Sequence, residues 1–403
     1  MPATPDRVPL TDRAALLELA LVFLRLGTVA FGGPAAHLAM MRTEFVDRRR
    51  WLTGEEFLDL VGASNLIPGP GSTEVALFIG MRRAGWVGLV LAGVFFILPA
   101  ALIVSAFAWA YVRLGHLPQT AGLLAGVLHG IKPVIITVVA QALWTLGRTA
   151  LKTRQMAVLG AAGLALCFAG IPPLALMVGA GALTGARGWW REGPTRSLKP
   201  VLVLVGVAAL LVIFPLALAS LSSPAARSAS PLLLFFVFLK IGSVVFGSGY
   251  VLLAFLRAGL VTHLHWLTSA QLLDAVAVGQ FTPGPVFTTA TFIGYILAGP
   301  GGAAAATLGI FLPAFAFVAL SGPLVPRLRR SPAAGAFLDG VNTASLALMA
   351  FVTGQLARAA LVDGVTVGLA LVSAVLLLRF RVNSVWLVLG GGVVGAVAAL
   401  HRF

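Results

Sequence analysis

Long apolar runs alternate along the chain with short breaks rich in glycine and proline, and this alternation sets the first expectation. The runs over 86–111, 201–220 and 365–378 hold no charged side chain. A run of roughly 20 mostly apolar residues suffices to cross a bilayer. Lipid offers the backbone no hydrogen-bond partner, so such runs must be helices. No stretch has the apolar–polar alternation of a membrane barrel. The pattern predicts helices over 14–31, 34–47, 54–66, 72–81, 86–111, 119–146, 155–169 and 172–186. A basic stretch over 187–199 follows, then the apolar run 201–220 and a Ser/Pro/Ala-rich loop to 230. The expected fold is an all-α polytopic membrane protein with broken or re-entrant helices and about 13 membrane segments.

Beyond residue 230 the pattern begins again. The stretch Phe23–Gly32 aligns with Phe238–Gly247, 215 positions later. At the same offset Arg42 meets Arg257, Trp51-Leu52-Thr53 meets Trp266-Leu267-Thr268, Asp59 meets Asp274, and Pro68-Gly69-Pro70 meets Pro283-Gly284-Pro285. One residue is then lost, and Phe78-Ile79-Gly80 and Leu98-Pro99-Ala100 match Phe292-Ile293-Gly294 and Leu312-Pro313-Ala314. Chance likeness between apolar segments does not explain matched charges and Pro-Gly-Pro breaks. The chain therefore divides into a tail (1–13), a first repeat (14–186), a linker with one unpaired helix (187–230) and a second repeat (231–403). One unpaired span would turn the second repeat upside down. Charge agrees: the loop at Arg82-Arg83 is basic while its counterpart at 297–301 is uncharged, and Arg113 stands alone where its counterpart holds Arg327, Arg329 and Arg330. Both comparisons satisfy the positive-inside rule only if the halves are inverted, an arrangement that places a site near the midplane.

Composition narrows the class. The 403 residues are 59% hydrophobic and 10% charged, with a mean hydropathy of +1.00, whereas a soluble domain carries about 25% charged residues. The net charge of +15 reads as cytoplasmic Arg and Lys that set orientation, not as a nucleic-acid surface. The single cysteine, Cys167, reads as a helix-packing residue. Residues 1–13 lack the basic and small-residue pattern of a signal peptide and read as a cytoplasmic tail.

The breaks are the first candidate for chemistry. Proline suits the first turn of a helix, so Pro34 and Pro70 each mark the start of a half-helix, whose free N–H groups attract an anion. Glycine lets a ligand approach the backbone. Gly32, Gly33, Gly69, Gly71, Ser72 and Thr73 in the first half, with Gly247, Ser248, Gly284, Thr288 and Thr289 in the second, form the candidate binding set. The alternative is a kink or hairpin without a ligand. Arg25 and Lys240 stand at equivalent intramembrane positions and suit a doubly charged anion; the alternative is snorkelling to the interface. Lys132, Arg42 and Arg257 are further cation candidates. Glu74, directly after the first break, is the proton-coupling candidate, with a helix-terminal carboxylate or a partner for Arg25 as alternatives. No nucleotide, hydrolase, zinc or redox motif occurs, so an enzyme and a metal centre are not expected, nor any cofactor. Together these features read as an oxyanion transporter.

The segments around Phe23–Gly33, Trp51-Leu52 and Asn65–Thr73, with Phe246–Tyr250 and Phe281–Phe287 in the second half, resemble the chromate transporter family in its long two-domain form. The resemblance covers nearly the whole chain. It implies an inner-membrane protein that exports chromate from the cytoplasm, driven by the proton-motive force, and so confers chromate resistance. It implies chromate, protons and the lipid bilayer as partners, sulfate as an alternative or competing anion, and leaves a homodimer open. The competing readings are a permease or passive channel for sulfate or another oxyanion, and a membrane enzyme acting on lipid headgroups.

Overall fold

The computed structural model describes residues 13–31, 33–115, 117–191, 229–246, 249, 251–321, 332–380 and 382–400. The expected tail, the apolar run 201–220, and Gly32, Gly247, Ser248, Arg327, Arg329 and Arg330 lie outside the described residues. Among the described residues all regular structure is helical.

Helix α1 (Arg13–Val29) runs to the first break, and α2 (Gly33–Arg42) returns from it, extended by a π-helical turn over Thr43–Arg48. Their side chains pair in antiparallel order: Arg25 with Glu44 at 4.0 Å and Arg49 with Glu18, while the Phe23 and Phe45 rings lie 5.2 Å apart. Helix α3 (Gly54–Ser64) is started by a capping box, in which Thr53 accepts from the Glu56 N–H and Glu56 accepts from the Thr53 N–H, satisfying two orphan donors reciprocally. It stops before Pro68, and α4 (Gly71–Gly115) leaves the second break. Arg82 on α4 pairs with Glu56, so the first arm of α4 runs back beside α3. With 11 residues, α3 is about 16 Å long at 1.5 Å per residue. The hydrocarbon layer is about 30 Å, so α3 is about half as long as a full crossing needs.

Helix α4 bends sharply at Ala84 and Gly85, where Gly85 has φ 58°. The sequence placed two helices here, over 72–81 and 86–111; they join through this bend. The arms on either side meet backbone to backbone, since a Cβ at Gly80 or at Gly88 would strike the other's carbonyl. The same elements recur in the second half. Helices α8 (Pro231–Val244), α9 (Leu252–Leu256, extended by a π turn over Arg257–His263) and α10 (Ser269–Phe281) are followed by a 3-10 turn (Val286–Thr288) and α11 (Thr289–Ser321). Thr268 and Gln271 form the matching capping box. Ala298 and Gly299 repeat the bend dihedrals within 12°. Arg50 and His265 are the described non-glycine residues with positive φ, 53° at each.

Helix α4 also serves as a ruler between the halves. Its Gly85 end adjoins the bases of the first-half hairpins through Arg82 and Arg83, the latter 4.8 Å over the Trp51 ring. Midway, Ala100 packs against the Gly284 tip. Further on, Phe107 meets Phe281 and Tyr111 donates to Asp274. The second-half hairpin thus extends from its tip toward the opposite end of α4 from the first-half pair.

The remaining helices are α5 (Pro118–Ala150), α6 (Arg154–Phe168), α7 (Pro173–Arg191), α12 (Pro332–Ala360), α13 (Gly364–Leu378) and α14 (Ser384–Leu400). Each long helix packs on the other half: α5 against α13 and α14, α12 against α6 and α7. Gly126 and Gly130 face Gly391 and Gly395 across the first of these contacts, the small-residue spacing that lets membrane helices approach closely. Four described helical stretches are long and apolar enough to cross a membrane: Gly71–Gly115, Gly122–Ala150, Val286–Ser321 and Pro332–Ala360.

Candidate anion site at the hairpin tips

The hairpin tips of the two halves meet. The Gly69 N–H donates to the Val245 carbonyl at 2.7 Å, and the Gly284 N–H donates to the Ala30 carbonyl at 2.9 Å. Ala30 and Val245 are themselves equivalent positions, so the bonds are reciprocal. Positive φ at Gly69 (144°) and Gly284 (92°) makes glycine the fitting residue at both tips. A Cβ at Gly249 would touch Pro34 and Val286, each at 3.7 Å.

Beside the tips lies a cavity of about 660 Å³. Its inner wall is made by Pro34 at the start of α2, Pro70, Gly71 and Ser72 at the start of α4, and Gly249, Val286 and Phe287 from the second half. Helix N-termini carry unpaired N–H groups and partial positive charge, so this wall favours an anion. The side walls mix apolar residues such as Val138, Leu146 and Met349 with polar ones. Gln141, Thr145 and Thr149 come from one stripe of α5, and Asn342 and Ser345 from α12. Lys152 and Asp339, an exposed pair 3.1 Å apart, also line the cavity. A second hollow of about 500 Å³ shares Gln141 and Thr145 and extends to Asn383 and Ser384.

Of the residues singled out from sequence, Gly71 and Ser72 line the cavity. Gly33 begins α2 with φ 77°. Gly69 and Gly284 hold the tips together. Thr73 and Glu74 are fully buried, and neither the Thr73 hydroxyl nor the Glu74 carboxylate has a hydrogen-bond partner. Glu74 lies against Gly69. Thr288 and Thr289 donate their hydroxyls to the carbonyls of Pro285 and Val286, each at 2.8 Å. The cations are elsewhere. Arg25 is 61% exposed beside Glu44, Arg42 is exposed, Lys240 and Arg257 are half-buried, and none of them lines the cavity. Lys132, partly buried, pairs with the buried Asp274 at 2.9 Å, with the Tyr111 hydroxyl on the same carboxylate at 3.0 Å. Among the described residues no cluster of three metal-ligating side chains occurs.

His37 escaped the sequence reading. It is 1% exposed, one turn into α2. Its Nε2 lies 3.1 Å from the Ala30 carbonyl and its Nδ1 3.2 Å from the Ser72 hydroxyl. It therefore joins both first-half tips, and through Ser72 it reaches the cavity wall. The signal that could have found it was an ionisable side chain just after a membrane break.

Comparison with known proteins gives a consistent picture. The model of the chromate transporter family matches residues 17–186 and 232–396. The chromate transport protein of Cupriavidus metallidurans is 34% identical over 390 residues, covering 95% of this chain and 93% of that protein. The chromate transport protein of Pseudomonas aeruginosa is 32% identical over 98% of this chain and 94% of its own length. A probable chromate transport protein of Synechococcus elongatus is 30% identical over 87% of this chain and 86% of that protein. No solved structure matches.

Proposed function

This chain belongs to the chromate transporter family, and from that premise we propose that it exports chromate from the cytoplasm through the cavity at the hairpin tips, driven by the proton-motive force. Chromate resistance is the outcome for the cell. The observation that carries the reading is the cavity wall, built from the N-termini of α2 and α4 and the 3-10 turn before α11. Such a wall offers donors and partial charge to a tetrahedral dianion.

The proposed architecture is two homologous repeats in inverted topology, with about 13 membrane segments and the run 201–220 as the odd one. Supporting it are the equal dihedrals at the two bends, the paired capping boxes and the reciprocal tip bonds. The opposite approach of the hairpins along α4 supports the inversion. The exposed Lys152–Asp339 pair marks the open end of the cavity in this reading, next to Arg148 and Arg154. By the positive-inside rule that end is cytoplasmic, which suits a state ready to load cargo for export. The proposed membrane is the inner (plasma) membrane of the cell.

The test is radiolabelled chromate uptake into everted, respiring vesicles with and without a protonophore. Uptake abolished by the protonophore is the expected result. Equilibration that needs no energy would make the protein a channel, and movement of sulfate alone would replace the substrate.

A further inference from the structure

We propose that His37 is the proton-binding positioning residue of the anion cavity, and that its protonation turns the Ser72 hydroxyl from an internal donor into a donor to the bound anion. This rests on the anion-transport reading above and names how a proton acts at that site.

Hydrogen-bond sense fixes the tautomer of the ring. A carbonyl only accepts, so the Ala30 carbonyl requires a proton on His37 Nε2. That carbonyl also accepts from the Gly284 N–H, which fixes the ring at both tips. In the neutral imidazole Nδ1 is then an acceptor, and the Ser72 hydroxyl 3.2 Å away must donate to it. A serine hydroxyl has one proton. While that proton is held by Nδ1, Ser72 presents only lone pairs to the cavity, which repel an oxyanion. When His37 is a cation, both ring nitrogens donate, Ser72 accepts from Nδ1–H, and its own proton is free to point into the cavity. The atoms balance in one relay: a hydronium ion in the cavity gives its proton to the Ser72 oxygen and leaves as water, as Ser72 passes its original proton to Nδ1. The cavity gains one donor and one positive charge beside the anion.

The surroundings make this coupling specific. α1 presents the Ala30 carbonyl to the ring, the 283–285 turn presents the Gly284 N–H, and α4 presents Ser72 and the edge of Phe96 at 5.8 Å. The charged side chains on those elements turn elsewhere: Arg25 and Glu18 to Glu44 and Arg49, Glu74 onto Gly69, Arg82 to Glu56, Arg83 to Trp51. Arg13, Arg42 and Arg113 are exposed. A buried imidazolium without an anionic partner is costly, and a dianion in the cavity supplies that partner. Proton and anion therefore favour each other's binding reciprocally.

The experiment is equilibrium binding of chromate to the purified full chain in lipid nanodiscs, by calorimetry at several pH values and in buffers of different ionisation heat. His37→Gln keeps a donor for Ala30 and an acceptor for Ser72 but cannot take up the proton. The wild type should tighten on acidification more steeply than His37→Gln, the difference approaching tenfold per pH unit for one linked proton, and should take up correspondingly more protons on binding. Chromate's own protonation is common to both proteins and cancels. Ser72→Ala, which keeps His37 but removes the relay, should flatten the difference too, and it serves if His37→Gln does not fold. Equal slopes and equal proton uptake in proteins that bind chromate would overturn the role of His37 while leaving the transport reading intact. No binding by the wild type would overturn the substrate reading and the coupling with it.

Discussion

Lys132→Met is the perturbation whose consequences the structure sets out in most detail. Lys132 on α5 and Asp274 on α10 lie 2.9 Å apart, with side chains 18% and 6% exposed, and Tyr111 on α4 donates to the second carboxylate oxygen at 3.0 Å. The three groups join elements from both halves. Removing the lysine leaves a buried carboxylate with a single hydrogen bond, and breaking a buried pair in this way costs about 3–5 kcal/mol. Replacing both partners, Lys132→Met with Asp274→Leu, exchanges the pair for apolar contacts, which is often neutral. It strands the tyrosine hydroxyl, at about 1–3 kcal/mol. Adding Tyr111→Phe removes that remaining cost. The expected order of thermal midpoints in detergent is therefore single below double below triple, with the triple near wild type. A double variant no more stable than the lysine variant alone would refute the reasoning, because the penalty would then come from lost packing and not from an orphaned charge.

Three further outcomes follow from named contacts. Glu44 is pushed up by its burial but pulled down further by the hydrogen bond and charge of Arg49 and by the charges of Arg48 and Arg25, with a net value below its ordinary 4.5. Its contribution is thus present above that value and lost as pH falls through the lower folded one, so Glu44→Gln should flatten the acid limb of a thermal-stability profile below about pH 4.5. Gly284→Ala puts a Cβ into Ala100 at φ 92°; transport should fall with membrane insertion intact, and Ala100→Gly should restore part of it. Asn342→Cys, on the cavity wall, should react with a membrane-impermeant thiol reagent applied from the cytoplasmic side and be protected by chromate, whereas reaction only from the other side would reverse the orientation.

The breaks were legible because proline and glycine announce themselves: Pro68-Gly69-Pro70 and Pro283-Gly284-Pro285 are hairpin tips for the same backbone reasons that made them conspicuous in sequence. That α3 and the first arm of α4 run side by side is not legible from length alone; the Arg82–Glu56 pair, 26 residues apart in the chain, shows it. The cations stand out in the sequence as charges within apolar runs, but where they point does not. Arg25 reaches Glu44, and the partner of Lys132 is supplied by the other half of the chain. The cavity's side wall was visible in principle, because Gln141, Thr145 and Thr149 recur every four residues and so share one helix face. His37 depends on a serine 35 residues away, which no local pattern reveals.

The reciprocal tip bonds have a consequence for biogenesis. A ribosome delivers the first half into the bilayer well before the second, and until residues 283–285 emerge the Ala30 carbonyl lacks its Gly284 donor, just as the Gly69 N–H lacks Val245. An early intermediate therefore holds both first-half hairpins with backbone groups still seeking partners, a penalty wherever lipid and not water surrounds them. Completion of the second half is what closes the first, so a chain truncated between the repeats should be held by the membrane quality-control proteases, and the two halves expressed as separate polypeptides should protect one another from degradation.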